Sequence, residues 1–213
     1  MSAIYMPTAM TPARAPNTTY LELENYRERT NVFMRGYSER IYFNVTDGRP
    51  WMWRRICFTS KGREITNASL GSDGLFAELV PQGYTRPFVR SNTAIADALS
   101  SYVMKGVEGR DWNNIMDAKS DNTRVDIKYD VTRTINPGST QGKMVKHKLW
   151  HPMNKNFIYN DDEAGSDELI AHFHTNAKPG MGDYYIWDII RASTSDAAPM
   201  GVSVQGTLYW HER

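Results

Sequence analysis

The residues of this chain that can do chemistry are its cations beside aromatic rings, two spaced histidines and one block of acids. The segment from Gln141 to Asn160 holds Lys143, Lys146, Lys148 and Lys155 with His147 and His151, contains no acid, and interleaves Trp150, Phe157 and Tyr159. Cations along a backbone, with flat rings for bases, are what a protein needs to hold a single nucleic-acid strand. The same cations can instead pair with the acids that follow, Asp161, Asp162, Glu163, Asp167 and Glu168. Arg54 and Arg55 stand beside Trp51 and Trp53, where a guanidinium stacks favourably on indole with or without nucleic acid.

Other chemistries find less support. The nucleotide-binding Gly-x-Gly-x-x-Gly and Gly-x-x-x-x-Gly-Lys-Ser/Thr loops, the Gly-x-Ser-x-Gly elbow and the His-Glu-x-x-His pair are all absent from the sequence. His172 and His174, two apart, would share a face on a strand, but no cysteine or third histidine stands near them to complete a four-ligand metal site. The acidic block can offer oxygens to a hard cation, although like-charged runs more often stay hydrated. Carboxylates paired for glycoside cleavage are defined by separation in space, so the acids leave that option open. The reading is of a non-enzymatic chain with no cofactor and no metal.

The elements that must position these residues are mostly strands. In 213 residues, 12% aromatic with 6 Trp and 12 Tyr, there is enough bulk for one substantial core. Ile41, Phe43 and Val45 alternate with polar neighbours, as do Val125, Ile127, Tyr129 and Val131, and later Val202, Val204, Leu208 and Trp210. Val32 to Tyr37, Trp51 to Ser60, Met144 to Trp150, Leu169 to His174 and Tyr184 to Ala192 are mixed apolar runs that suit strands buried on both faces. This makes eight candidates. Turn chemistry separates them at Asp47-Gly48, Ser72-Asp73-Gly74, Asn136-Pro137-Gly138 and Lys178-Pro179-Gly180. One helix is expected, capped by Ser91 or Thr93, with Ile95, Leu99, Tyr102 and Val103 on one face.

Pro7, Pro12 and Pro16 among small polar residues mark residues 1–30 as an extended N-terminal arm, and residues 31–213 as the folded domain. The expected fold is all-β, a single eight-stranded antiparallel jelly-roll sandwich with long loops and one short helix. The net charge of +1 leaves any polyanion binding to local patches. Cys57 is the one cysteine, so no internal disulfide forms, and a buried thiol suits a reducing compartment. No apolar run reaches the length of a membrane span, so no membrane partner is expected.

Four phrases, Trp51-Met52-Trp53-Arg54-Arg55-Ile56-Cys57-Phe58, Gly109-Arg110-Asp111-Trp112, Tyr129-Asp130-Val131-Thr132-Arg133 and Trp150-His151-Pro152-Met153-Asn154-Lys155, carry a resemblance in order and spacing. With them the chain resembles capsid proteins of the genomoviruses (gemycircularvirus-like), small circular single-stranded DNA viruses distantly related to the geminiviruses. The resemblance runs from about Val32 to the C-terminus through Asp161-Asp162-Glu163 and Met181-Gly182-Asp183. It implies a jelly roll, a homo-oligomeric T=1 icosahedral shell of sixty copies, packaging of single-stranded DNA, and location in the virion and, during assembly, the host nucleus. Such proteins usually begin with an Arg- and Lys-rich arm. Here residues 1–31 hold only Arg14, Arg27 and Arg29 as cations, so the expectation is that the natural basic arm is missing from this sequence.

On this reading Arg54, Arg55, Lys143, Lys146, Lys148 and Lys155 contact DNA phosphate. Trp112, Trp150, His151, Pro152, Met153, Asp161, Asp162 and Glu163 are candidates for contacts between subunits, while Trp112, Trp150, Pro152 and Met153 suit the subunit core equally well. The rival from another class is a β-sandwich that binds or cleaves carbohydrate, motivated by its Trp, Tyr and scattered acids.

Overall fold

Alternation along the chain becomes two stacked antiparallel sheets in the computed structural model, which describes residues 1–10, 26–61, 65, 77–79, 83–85, 88, 90–164, 167–169, 171–195 and 198–212. Among the described residues seven strands build the two sheets: β1 (Ser2–Tyr5), β2 (Asn31–Val45), β3 (Trp51–Ser60), β6 (Asp126–Ile135), β7 (Lys143–Ile158), β10 (Asp183–Ala192) and β11 (Gly201–His211). Two small hairpins lie between them, β4 (Ala77–Leu79) with β5 (Gly83–Thr85), and β8 (Asp162–Ala164) with β9 (Asp167–Leu169). One sheet has the order β1-β10-β3-β6 and the other β11-β2-β7. Successive long strands change sheet at every step except β3 to β6, the wrapped connectivity of a jelly-roll-like sandwich.

The expected eight strands become seven among the described residues, in sheets of four and three, and each discrepancy has a local cause. Val32 to Tyr37 and Ile41 to Val45 are one strand, not two. Its register shifts between Met34 and Gly36, so the inward set passes from Val32 and Met34 to Tyr37, Glu39, Ile41, Phe43 and Val45. A bulge of this kind breaks the period-two signal without ending the strand. Leu169 to His174 is not a strand along its length: only Leu169 ends β9, and His174 makes one isolated bridge to Tyr159.

The arm is a further correction. Ser2–Tyr5 is the edge strand of the four-stranded sheet, paired with Ile186 to Ile189, and Ala3, Ile4, Tyr5 and Met6 are buried. The first residues therefore belong to the folded unit. Proline is tolerated at such an edge, and Pro7 comes only after the last pair. Pro12, Arg14, Pro16 and the turn at Ser72-Asp73-Gly74 lie outside the described residues.

The four-stranded sheet is covered on both faces, which accounts for the mixed apolar runs of β3 and β10. Trp53, Cys57, Tyr184, Ile186 and Ile190 meet Val32, Met34, Tyr37, Ile41, Phe43 and Phe157 of the three-stranded sheet. On the reverse side Ile56, Phe58, Tyr185, Trp187 and Ile189 pack beneath helix α1 (Thr93–Val103) and residues Met104, Met116, Ala118 and Val125. The α1 cap is Asn92, one residue from either expected cap, whose Oδ1 accepts the Ile95 N–H at 2.8 Å. Ile95, Leu99 and Val103 recur every fourth residue and are buried as expected. Among the described residues no helix is long and apolar enough to cross a membrane.

Candidate nucleic-acid interface

Because side chains alternate along a strand, neighbours in sequence serve opposite faces, and the cations of this protein sort accordingly. Arg55 of β3 points between the sheets and is fully buried. Its Nη1 donates to both oxygens of Glu39, each at 2.7 Å, while Nε and Nη2 donate to Asp188 at 2.8 and 2.6 Å. Trp53 Nε1 also donates to Asp188 at 2.6 Å, and Tyr5 Oη to Glu39 at 2.9 Å. His151 Nε2 lies 3.0 Å from Glu39 Oε2, with Tyr184 Oη 3.4 Å and Cys57 Sγ 3.7 Å from its Nδ1. A buried charge persists only when paired and hydrogen-bonded, and every fork of this guanidinium is used.

The electrostatics follow from that enclosure. Burial alone would raise the Glu39 carboxyl, but the His151 hydrogen bond and Arg55 outweigh it and hold Glu39 below its ordinary value. Burial pushes the Cys57 thiol and the Tyr184 phenol well up, so both stay protonated. The thiol is therefore not a nucleophile at neutral pH.

This geometry corrects the expectation that Arg55 contacts DNA phosphate, since no phosphate can reach it. Arg54 is corrected for a related reason. It points to the opposite face, where Nε and Nη2 clamp Asp130 at 2.9 and 2.8 Å and Nη1 donates to the Ile115 carbonyl at 2.6 Å; it is 5% exposed. Three subunit-contact candidates are likewise internal. His151 and Met153 are buried in the sandwich. Asp161 accepts two bonds from Arg27, both at 2.6 Å, with Thr30 Oγ1 and the Ala171 N–H as further donors. Arg27 in turn stacks on Tyr159, 3.8 Å from the ring centre. Trp112 is half-buried against the cluster beneath α1, Pro152 is exposed, and the side chains of Asp162 and Glu163 lie outside the described residues. His172 and His174 do not converge: their Nδ1 atoms face the carbonyls of Met10 and Thr175.

The outer face of the three-stranded sheet is different. Cross-strand register aligns Ser203, Tyr42 and Lys146 in one row, Gln205, Arg40 and Lys148 in the next, then Thr207, Ser38 and Trp150, then Tyr209, Gly36 and Pro152. Arg40, Lys146 and Lys148 are exposed, and no carboxylate stands in these rows. None of the three makes an ion pair among the described residues; Lys146 instead sits 5.1 Å over the Tyr42 ring. Lys143 is exposed at the start of β7 opposite Val45, and Lys155 is exposed at the bulge opposite Met34.

Of the six predicted phosphate contacts, Lys146 and Lys148 thus share this face; Lys143 and Lys155, exposed at the two ends of β7 opposite the inward-facing Val45 and Met34, have the other parity, and the two arginines are internal. Arg40, Tyr42 and Tyr209 join it without having been singled out. Alternation with Ile41, Phe43 and Leu208 already put them on the outer side, but only strand pairing brings them beside Lys146, Lys148 and Trp150. No family model matches the chain, and no match is found among curated proteins.

Proposed function

We propose that this chain is the coat subunit of a T=1 icosahedral shell that packages circular single-stranded DNA. The observation that carries the reading is the acid-free outer face of β11-β2-β7, where Arg40, Lys146 and Lys148 stand exposed with no ion pair among the described residues, in a chain whose formal charge is only +1. A protein with almost no net charge that gathers unmatched cations on one sheet has a local means of holding a polyanion. The sandwich itself supports the reading, because strands that change sheet at almost every step leave long connections free for contacts between copies. The resemblance in the Trp51 to Phe58 and Trp150 to Lys155 phrases points the same way.

The test is particle mass. Light scattering and negative-stain microscopy of the full chain with circular single-stranded DNA should find uniform particles near sixty subunits. A protein that stays monomeric at high concentration, with and without DNA, and binds or cleaves glycans would overturn the proposal in favour of the carbohydrate reading.

A further inference from the structure

We propose that the outer face of the three-stranded sheet is a base-stacking platform for single-stranded nucleic acid, with Trp150 and Tyr209 receiving bases and Arg40, Lys146 and Lys148 receiving phosphates. The proposal rests on the coat reading for its polyanion and adds how that polyanion is held.

The two rings come from opposite edges of the sheet, Trp150 from β7 and Tyr209 from β11, and they meet over the middle strand. Their centres are 5.8 Å apart with the planes tilted by 60°. What lets them meet is Gly36. A Cβ at that position would stand 2.5 Å from Trp150 Cζ2 and 2.8 Å from Cη2, so any larger residue would push the indole off the sheet. Trp150 therefore lies down over the backbone of β2. It is nonetheless 50% exposed and Tyr209 is 48% exposed, an unusual state for large rings in a protein that buries Trp53, Trp187 and Tyr185 completely.

The cations sit where a strand leaving that platform would run. The Arg40–Lys148 row is two residues from the Ser38–Trp150 row and the Tyr42–Lys146 row two further, so charged rows recur about every 7 Å. Tyr42 adds a third ring on the same side, beside Lys146. Charge complementarity selects the occupant. A second copy of this face would bring like charges together, and a duplex hides its base faces, leaving Trp150 and Tyr209 unused. A single strand uses both features, since every base has a stackable face and every linkage a phosphate.

The experiment compares an oligothymidylate, an abasic strand of equal length, a duplex and anionic phosphatidylserine vesicles as ligands of the full chain. Affinity is measured against salt, and tryptophan emission is followed throughout. Oligothymidylate should bind tightest and quench emission. Trp150→Ala should weaken it about tenfold, within the range for loss of one stacked base, and leave both the abasic strand and the salt slope unchanged. Tyr209→Ala should do the same more weakly. Lys148→Ala should weaken oligothymidylate and abasic strand alike, and flatten the slope of log K against log salt by about 0.7, the share of one phosphate. Each variant's melting curve should match the parent, as these side chains are exposed.

Equal losses of oligothymidylate and abasic strand on Trp150→Ala, or no loss, would overturn the platform, as would preference for duplex or Trp150-dependent binding to vesicles. The two proposals fail separately. Particles that form with DNA while Trp150→Ala changes nothing would sink the platform alone; a monomer showing the full predicted pattern would sink the shell alone.

Discussion

Glu39 and Arg40 are neighbours on β2, and they show how differently one strand can treat charge on its two sides. Glu39 faces inward and accepts from Arg55, His151 and Tyr5. Arg40 faces outward, opposite Lys148, with no ion pair among the described residues. Inside the sandwich desolvation makes an unmatched charge costly, and Glu39, Arg55 and Asp188 occur as a matched set, while the half-buried Arg133 lies over the Trp53 and Tyr129 rings. Outside, water screens each cation, and a row of them costs little until an anion arrives. The matched cluster belongs to the architecture, and the exposed row is the surface to which the proposals above assign a polyanion.

The most severe way to break this contrast is to remove Arg55. Arg55→Ala leaves Glu39 and Asp188 buried without their cation and should cost about 3–5 kcal/mol of folding stability. Denaturant unfolding measures this directly, and a change below about 1 kcal/mol would show that the cluster is not enclosed as described.

Acid probes the same cluster without mutation. Glu39 is held below its ordinary value of 4.5, so the folded state binds fewer protons than the unfolded chain near that pH. Its stabilisation is complete above about pH 4.5 and is lost as pH falls through the lower folded value. Asp161, lowered by Arg27 and the Ala171 N–H against its own burial, acts in the same direction. So does His147, which burial and then Arg133 and Arg55 hold below its ordinary 6.5, so that its share of the loss begins below about pH 6.5. Melting temperature should therefore fall steeply on acidification below pH 4.5. In Arg55→Ala the fall should be shallower, because burial then favours the protonated Glu39.

Arg54 sharpens the comparison from the other side of β3. Asp130 is 22% exposed at its side chain and can rehydrate, so Arg54→Ala should cost about 1.5–3 kcal/mol, less than its neighbour. Asn92→Ala, which removes only the α1 cap, should cost about 1 kcal/mol and calibrates the series. The smallest effect is expected outside: Lys146→Ala with Lys148→Ala should change stability by no more than about 0.5 kcal/mol, measured by thermal unfolding, while weakening DNA binding.

Much of the architecture was legible in order along the chain. Ile41, Phe43 and Val45 face inward and Ile95, Leu99 and Val103 make one buried helical stripe, whereas the run Val125, Ile127, Tyr129 and Val131 is split by a register shift, with Ile127 packed beneath α1 and Tyr129 between the sheets. The site was legible in part. Lys146 and Lys148 are where the acid-free segment suggested, yet Arg54 and Arg55 read from their types as a basic pair beside tryptophans. No local pattern announces that each will meet its own carboxylate, because Asp130 and Asp188 lie 76 and 133 residues further on. The bulge near Gly36 also hid the continuity of β2, since inserting a residue inverts the local alternation.

Between bulges, the side of a strand that each residue occupies was determined by sequence alone, because side-chain direction has a period of two set by backbone geometry. Which residues then meet was decided only by tertiary structure. Strand order β11-β2-β7 and β1-β10-β3-β6 is a matter of long-range pairing, and every neighbour relation in the charged cluster and on the stacking face crosses it. Local periodicity carries no information about partners distant in the chain, so the matched interior and the unmatched surface became distinguishable only when the sheets closed on each other.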